Sequence, residues 1–400
     1  MPVNVPTIIL ADKRGVVLDS HLKGVRPSKE TERFVRTSGQ RVEIKNPRQV
    51  CREGSKTLEF EAYKREFAID FHHAQSHLGG NALNTGAAIQ QMFNTFDAYG
   101  VLIPGTTFHT LTNTMGVRME VSRIFGEGQS ILPSEPNIGR SGWYIPRQQS
   151  GESLYLSHTP DSPHSDYQIP GDPYASQDIF ISSASPKSSA WNQILHRVAV
   201  NPATRLLLSP GRNQLEPELE EKILKATHLI ALNKNEAWDL LARTNPNLLM
   251  AVFGTSKTMP NNKDLASILA KAVCIMGPRH ALVTNGGSTV ALYDSNKQEL
   301  VTIEPPTIEE IRAFTRETLG RNLEAQEISL IGCGDTLLGV FIALEKLVQS
   351  GQLQLSTKEQ LQVATTMARL HGWNPKPNIH GMPQRDIEKI TQNAVTKMAA

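Results

Sequence analysis

The sequence predicts an α/β protein with a mostly parallel sheet and a small β-rich appendage. After residue 175, short apolar runs alternate with helical patterns, which is typical of βαβ units. In two other stretches, approximately 20–72 and 118–170, apolar residues often alternate with polar ones, as in Leu58-Glu-Phe60. That period of two favours exposed antiparallel strands. The chain of 400 residues is long enough to bury a large core without disulfides or structural metals.

The individual elements follow from local apolar patterns. Thr7–Leu10 predicts a first strand, Asn81–Phe96 a long helix and Ala98–Ile103 a buried strand. Further strands are predicted at Ile179–Ile181, Arg205–Leu208, His228–Leu232 and Ala281–Thr284, and helices at Ser189–Val198, Glu216–Ala226, Asn235–Arg243 and Lys263–Met276. Because these elements alternate without internal repeats, we predict a single domain over residues 1–400, with the β-rich segments inserted in it.

Composition excludes several classes of protein. The cysteines Cys51, Cys274 and Cys333 are far apart and form no CxxC motif, which excludes a disulfide scaffold and a multi-cysteine zinc site and fits a reducing compartment. A net charge of +2 gives no electrostatic basis for binding nucleic acid. No apolar run is long enough to span a membrane, and the N-terminal one is too short for a signal peptide. We therefore expect a cytoplasmic protein without a membrane or nucleic-acid partner.

The first candidate for chemistry is the glycine-rich turn Ile331–Asp335, which leads into an apolar helix over Thr336–Leu344. The glycines let backbone N–H groups turn inward, and the helix start adds unsatisfied donors and a positive dipole end. Residues 332–335 therefore predict an anion hole suited to phosphate, with the Asp335 carboxylate beside it. The alternative is an ordinary glycine turn with an aspartate near the cap of a core helix.

The second candidate is the segment Leu78–Ala88. The pair Gly79 and Gly80 lets the backbone approach a ligand closely. Asn84 offers both a donor and an acceptor, which suits a sugar hydroxyl. The alternative is a loop-to-helix junction whose small residues serve tight packing.

Two further candidates each follow an apolar strand. Asn233 and Glu236 stand at a predicted helix start, where they could hold a hydrated Mg²⁺ near phosphates. The same pair fits a capping box, which would explain both residues by the helix end alone. Thr284 and Gly286 could lay a hydroxyl and backbone against a nucleotide, or could form an ordinary tight turn. The chain contains neither a P-loop nor a Rossmann GxGxxG motif after its first strand.

The order of these motifs on an α/β chain resembles the PfkB, or ribokinase-like, family of carbohydrate and nucleoside kinases. The resemblance covers about residues 75–372. It implies a ribokinase-like three-layer αβα sandwich whose lid comes from 20–72 and 118–170, with Mg²⁺ and ATP as cofactors and a sugar or nucleoside as substrate. It places the family's catalytic base at Asp335. The other matched positions are Gly332, Cys333 and Gly334 for the anion hole, Gly79, Gly80 and Asn84 for the sugar, Thr284 and Gly286 for the nucleotide, and Asn233 and Glu236 for Mg²⁺, through water.

Several positions depart from the family pattern. Ser329–Ile331 stands where the family has Asp-Thr-Thr, Cys333 replaces an alanine, and Gly339-Val340 replaces Ala-Gly. Residues 305–328 look like an insertion. Cys333 at a helix start could also act as a nucleophile with a lowered pKa, although the sequence offers it no evident histidine partner. These departures indicate a divergent member of the family.

Two alternatives to an ATP-dependent kinase stay open. A pseudokinase would keep the fold as a regulatory ligand-binding protein, and an ADP-dependent sugar kinase would share the fold and the minimal motif. Intact Asn233, Glu236 and Asp335 favour an active enzyme, because a pseudoenzyme would be free to lose them. Exposed lid strands can pair between subunits, so a homodimer through the lid is a further expectation.

Overall fold

The architecture is seen in a computed structural model that describes residues 7–11, 17–21, 75–79, 81–97, 106–109, 140–146, 153–158, 169, 172–181, 188–211, 215, 218–254, 258–260, 262–320, 322, 332–372 and 384–398. The strands in these ranges are β1 (Thr7–Ala11), β2 (Val17–His21), β3 (Gln75–Gly79), β4 (Thr106–His109), β5 (Arg140–Pro146), β6 (Ser153–His158), β7 (Gln177–Ile181), β8 (Arg205–Leu208), β9 (Thr227–Asn233), β10 (His280–Asn285), β11 (Thr289–Asp294) and β12 (Glu299–Ile303). The helices are α1 (Asn81–Asp97), α2 (Ser188–Val200), α3 (Glu220–Ala226), α4 (Lys234–Thr244), α5 (Pro246–Phe253), α6 (Leu265–Ile275), α7 (Ile308–Phe314), α8 (Cys333–Gln349), α9 (Thr357–His371) and α10 (Gln384–Met398), with a π-helical turn at Thr315–Leu319.

Eight strands form one sheet in the order β12-β11-β10-β9-β8-β7-β1-β4. The strands from β10 to β4 run parallel, and β11 and β12 add an antiparallel edge. Parallel neighbours need crossover connections, which helices usually supply. The mostly parallel sheet predicted from the alternating pattern is therefore confirmed.

Alternate residues of the central strands lie in two apolar cores, one on each face of the sheet. In β7, Ile179 and Ile181 belong to one core and Phe180 to the other. The first core also takes residues from α2, α3, α4 and α6, and the second from α1, α7, α8, α9 and α10. Because strands buried on both faces must be apolar throughout, this arrangement explains the continuous apolar runs in the sequence. The molecule is a three-layer αβα sandwich, as expected.

A separate four-stranded sheet has the order β3-β2-β5-β6. Strands β5 and β6 lie within 118–170, where the sequence predicts exposed strands. Strands β2 and β3 flank the other β-rich segment, and residues 22–72 lie outside the described residues, as does the predicted strand Ala98–Ile103. Gly79 ends β3 just before α1 begins at Asn81, so the small sheet leads directly into a helix of the sandwich.

A network of charged side chains is buried at the amino ends of the parallel strands. Asp178 in β7 is 0% exposed, accepts a hydrogen bond from Arg205 Nε at 2.9 Å, and lies 2.8 Å from Lys346 Nζ. Arg205 Nη1 lies 3.0 Å from a carboxylate oxygen of Glu345. Burial raises the pKa of the Glu345 carboxyl, but the positive charge of Arg205 and the hydrogen bond with His228 outweigh burial and bring this pKa down to about 2. The network thus ties the last third of α8 to β7 and β8.

Helices α1 and α8 approach closely at Gly339. A Cβ added there would lie 2.5 Å from the Thr85 carbonyl oxygen and 2.7 Å from the Cβ of Ala88. Because the backbone oxygen cannot rotate away, we expect Gly339→Ala to destabilise the fold. Overpacking typically costs about 1–3 kcal/mol, which outweighs the gain of about 1 kcal/mol from alanine in a helix. Denaturant unfolding measures the change. Gly334→Ala, where an added Cβ meets nothing within 4 Å, is the control, and a Gly339→Ala protein as stable as wild type would contradict the expectation.

No helix in the part of the chain that the structure describes is both long and apolar enough to cross a bilayer.

Candidate active site

A pocket of about 250 Å³ opens at the carboxyl ends of β8, β9 and β10. In open α/β sheets, ligands bind outside this edge of the strands, so the topology itself favours a site here. The polar lining residues are Asn81, Ser209, Asn233, Glu236, Thr284 and Asp335, and the remaining ones are Ala231, Leu232, Leu282, Gly332, Gly334, Leu337 and Leu338.

The amino end of α8 forms one wall of the pocket. Gly332 precedes the helix with φ 76°, a left-handed conformation that favours glycine. The helix begins at Cys333, earlier than the predicted start at Thr336, so Asp335 lies in its first turn. First-turn N–H groups point along the axis away from the helix, and the helix dipole is positive at that end. This wall of the pocket therefore suits an anion.

The carboxylate of Asp335 contacts a side chain from another helix. Asn84 Nδ2 in α1 donates a hydrogen bond to Asp335 Oδ2 at 3.3 Å, across 251 positions of sequence. Asn84 is 6% exposed, and the close packing of the two helices at Gly339 lies about one turn further along α8. If Asp335 served only the start of its own helix, it would not need a partner on another helix, so the capping interpretation alone does not explain this contact. The structure brings the first and second sequence candidates together.

Asn233 and Glu236 form the capping box that the sequence offered as an alternative. Glu236 N donates to Asn233 Oδ1 at 3.0 Å, and Asn233 N donates to Glu236 Oε2 at 2.9 Å. Both residues also line the pocket, and Glu236 is 8% exposed. The two interpretations are compatible, because the bonds that begin α4 also hold a buried carboxylate at the pocket wall.

Thr284 lies beside Asn233 in the sheet, since the two residues are register partners in β10 and β9. The strand then turns through Gly286, which has φ 55°, towards β11. Gly286 itself does not contribute to the pocket lining, and neither does Gly79; Gly80 lies outside the described residues. The predicted nucleotide turn therefore borders the pocket through Thr284.

The pocket includes two polar residues, Asn81 and Ser209, that were not predicted as site residues. Asn81 belongs to the glycine-rich segment that drew attention to Asn84, so its position one turn earlier on α1 was an available signal. Ser209 directly follows β8, at a strand end where the family that the sequence resembles has an aspartate, so the position had a signal although the residue type did not.

Cys333 does not have the properties of a nucleophile. Burial raises the pKa of its thiol to about 12, with a further contribution from the Asp335 carboxylate, while the positive charge of Arg369 opposes the rise. The expectation of a lowered pKa rested on the helix N-terminus, but desolvation outweighs that effect here. The thiol stays protonated at neutral pH and packs against the apolar core.

The oxygen groups at the pocket suit a hydrated Mg²⁺. Within the described ranges, no group of three or more His, Cys, Asp or Glu side chains could hold a metal ion. Mg²⁺ usually keeps several waters and needs only one or two carboxylates besides substrate phosphates. The carboxylate of Glu236 and the amide of Asn233, together on one wall, fit that requirement.

Comparison with solved structures identifies the class of fold. An adenosine kinase from Anopheles gambiae aligns with a TM-score of 0.60 and 12% identity, covering 96% of this chain and 99% of that one. A ribokinase from Giardia lamblia has a TM-score of 0.58 and 13% identity, with 97% and 100% covered. A ribokinase from Arabidopsis thaliana, complexed with ribose and ATP, has a TM-score of 0.57 and 14% identity, with 98% and 99% covered.

The chain has the ribokinase-like, PfkB-type fold, and its sequence is far from these structures. No protein-family model matches the sequence, and no curated protein does.

Proposed function

We propose that the protein is a kinase that transfers the γ-phosphoryl group of ATP to a hydroxyl of a sugar or nucleoside. The observation that carries this proposal is that Asp335, the glycine-opened end of α8 and Glu236 line one pocket, where Asn84 holds the Asp335 carboxylate from behind the lining. The ribokinase and adenosine kinase structures that share the fold support the choice of substrate class.

Phosphoryl transfer requires positioning and charge neutralisation more than covalent chemistry. The amides of residues 332–335 would hold the transferred phosphoryl group as negative charge develops on it. Asp335 would take the proton from the acceptor hydroxyl. The hydrogen bond from Asn84 fixes one carboxylate oxygen and leaves the carboxylate directed towards the pocket that it lines.

The remaining roles concern the donor, the metal and the acceptor. Thr284 and the turn at Gly286 would contact the nucleotide, and Gly79, Gly80 and Asn84 would contact the acceptor. Asn233 and Glu236 would hold Mg²⁺ through water. When bound, Mg²⁺ neutralises charge on the phosphates.

The four-stranded sheet is the proposed lid of a single kinase domain. Its strand β3 ends immediately before α1, which carries Asn81 and Asn84. Closure of such a sheet over the acceptor would exclude water and limit wasteful hydrolysis of ATP. The same sheet is where a homodimer contact would form, because its edge strands can pair with a second copy.

A phosphorylation screen tests the proposed function. Sugars and nucleosides are offered with Mg²⁺ and either ATP or ADP, and we expect one acceptor class to be phosphorylated from ATP. Transfer only from ADP would instead favour an ADP-dependent sugar kinase, and binding without transfer would favour a pseudokinase.

Nucleotide at 100 times its Kd should also stabilise the fold by ~2.7 kcal/mol. A melting temperature unchanged by millimolar nucleotide with Mg²⁺ would contradict the nucleotide site.

Glu236→Gln separates the metal role from the capping role. Glutamine also serves in a capping box, so we expect the free energy of unfolding to stay close to wild type. Loss of the carboxylate should raise the Mg²⁺ concentration needed for half-maximal turnover by about 10–100-fold, as for other residues that orient a metal indirectly. The matched control is Glu310→Gln, in the exposed capping box of Thr307 on α7. An unchanged metal dependence would leave Glu236 as a capping residue only.

A further inference from the structure

Arg369, in the last turn of α9, lies against the turn that follows the predicted nucleotide strand. Its Nη2 donates a hydrogen bond to the carbonyl oxygen of Gly287 at 2.8 Å. A Cβ added to Gly287 would lie 2.9 Å from the same nitrogen. The guanidinium therefore packs directly on the backbone of the turn, and the missing side chain at Gly287 permits this approach.

The same guanidinium is close to the amino end of α8. Its positive charge acts on the Cys333 thiol, where it opposes the rise in pKa caused by burial. Arg369 thus lies near both elements that the proposed function assigns to the donor: the turn after Thr284 and the anion hole at residues 332–335. The phosphates of a bound nucleotide would have to pass between these two elements.

Within the described ranges, Arg369 has no salt-bridge partner. Arg205, by contrast, is largely buried and pairs with Asp178. The buried Nε of Arg369 has no hydrogen-bond partner among the described residues either. A half-buried cation without a counter-charge is costly unless a ligand supplies one.

We propose that Arg369 is a nucleotide-binding residue that pairs with a phosphate of the donor nucleotide. The inference rests on the proposed function and adds to it a residue outside the four sequence motifs. Guanidinium groups match phosphate oxygens with a planar set of donors, so Nη2 can keep its bond to Gly287 while Nη1 donates to the phosphate. The ligand class is a nucleoside diphosphate or triphosphate, and the bare nucleoside gains nothing from this contact.

The test compares the affinities of ADP, ATP and adenosine, with Mg²⁺ present. ADP and ATP are titrated calorimetrically, and adenosine is measured by its displacement of a fluorescent ADP analogue, so that only the donor site is observed. In Arg369→Gln we expect ADP and ATP to bind about 10–100-fold more weakly, the size of a charge-assisted hydrogen bond, with adenosine unchanged. Arg369→Lys keeps the charge but loses the planar donors, so its affinities for ADP and ATP should lie between those of wild type and Arg369→Gln. Arg243→Gln, at a surface ion pair, is the control and should leave all three affinities unchanged.

The contrary outcomes are distinct. If Arg369→Gln weakens adenosine as much as ADP, the residue only supports the turn and the inference is wrong. If ADP affinity is unchanged in both Arg369 variants, it is also wrong, while the proposed function survives. If wild-type protein binds none of the three ligands, the proposed function fails and the inference fails with it. Should Arg369→Gln not fold, Arg369→Lys decides by the same comparison of ADP with adenosine.

Discussion

Replacing Asp335 with asparagine should lower turnover by ~10²–10⁴, the usual range for loss of a general base. The carboxylate lines the pocket beside the amino end of α8, and Asn84 holds one of its oxygens at 3.3 Å. Asparagine is nearly isosteric and still offers an oxygen to the Asn84 amide, so the fold should survive. Nucleotide affinity should also stay close to wild type, because the backbone amides of the anion hole are unchanged.

Single-turnover phosphoryl transfer, measured beside nucleotide affinity in the same variant, checks this expectation. The control is Asp264→Asn, an exposed aspartate at the start of α6 whose side chain makes no capping hydrogen bond. If Asp335 only stabilises its helix end, both variants should keep nearly wild-type phosphoryl transfer and nucleotide affinity. Wild-type turnover in Asp335→Asn would remove the catalytic role and, with it, the main support for the kinase proposal.

Asp178→Asn should destabilise the protein by about 3–5 kcal/mol, the cost of breaking a buried ion pair from one side. Asp178 is 0% exposed, and its negative charge balances the positive charges of Arg205 and Lys346. Lys346 is itself only 4% exposed. An amide at this position would leave two buried positive charges to share Glu345. Burial already lowers the pKa of Lys346, so that side chain is poorly placed to lose its counter-charge.

Denaturant unfolding at neutral pH measures the loss. The control is Glu221→Gln, which breaks the exposed pair with Lys225 on α3 and should leave the free energy of unfolding close to wild type. A change in Asp178→Asn as small as in this control would mean that the network contributes little to the folded state.

The parts of the fold that the sequence predicted best are those in which both faces are buried. Strands β7 to β10 carry continuous apolar runs, so their positions and the helices between them were evident. The edge strand β12 was missed because it is short and only partly buried, with Ile303 its one buried residue. The start of α8 was placed three residues late, because glycine is a poor helix former and Gly332 and Gly334 suggested a turn that continues to Asp335.

The candidate site shows a sharper division. Strand ends and glycine-rich turns indicated Asn233, Thr284 and Asp335 locally, whereas the contact of Asp335 with Asn84 joins segments 251 positions apart and no local spacing could predict it. Arg369 had no signal at all, since a single arginine in the last turn of a helix usually serves the helix end. Only the packing of α9 against the sandwich places it beside the turn at Gly287.

The buried network at the amino ends of the strands constrains how the site can respond to substrates. Glu345 and Lys346 lie about 16 Å along α8 from Asp335, at 1.5 Å per residue. A shift of this helix along its axis would pull both charges away from Arg205 and Asp178, which are themselves fixed in the sheet. The carboxylate and the anion hole are therefore tied to the strand ends, and for the proposed kinase we expect the small sheet, rather than α8, to move when the site closes around a substrate.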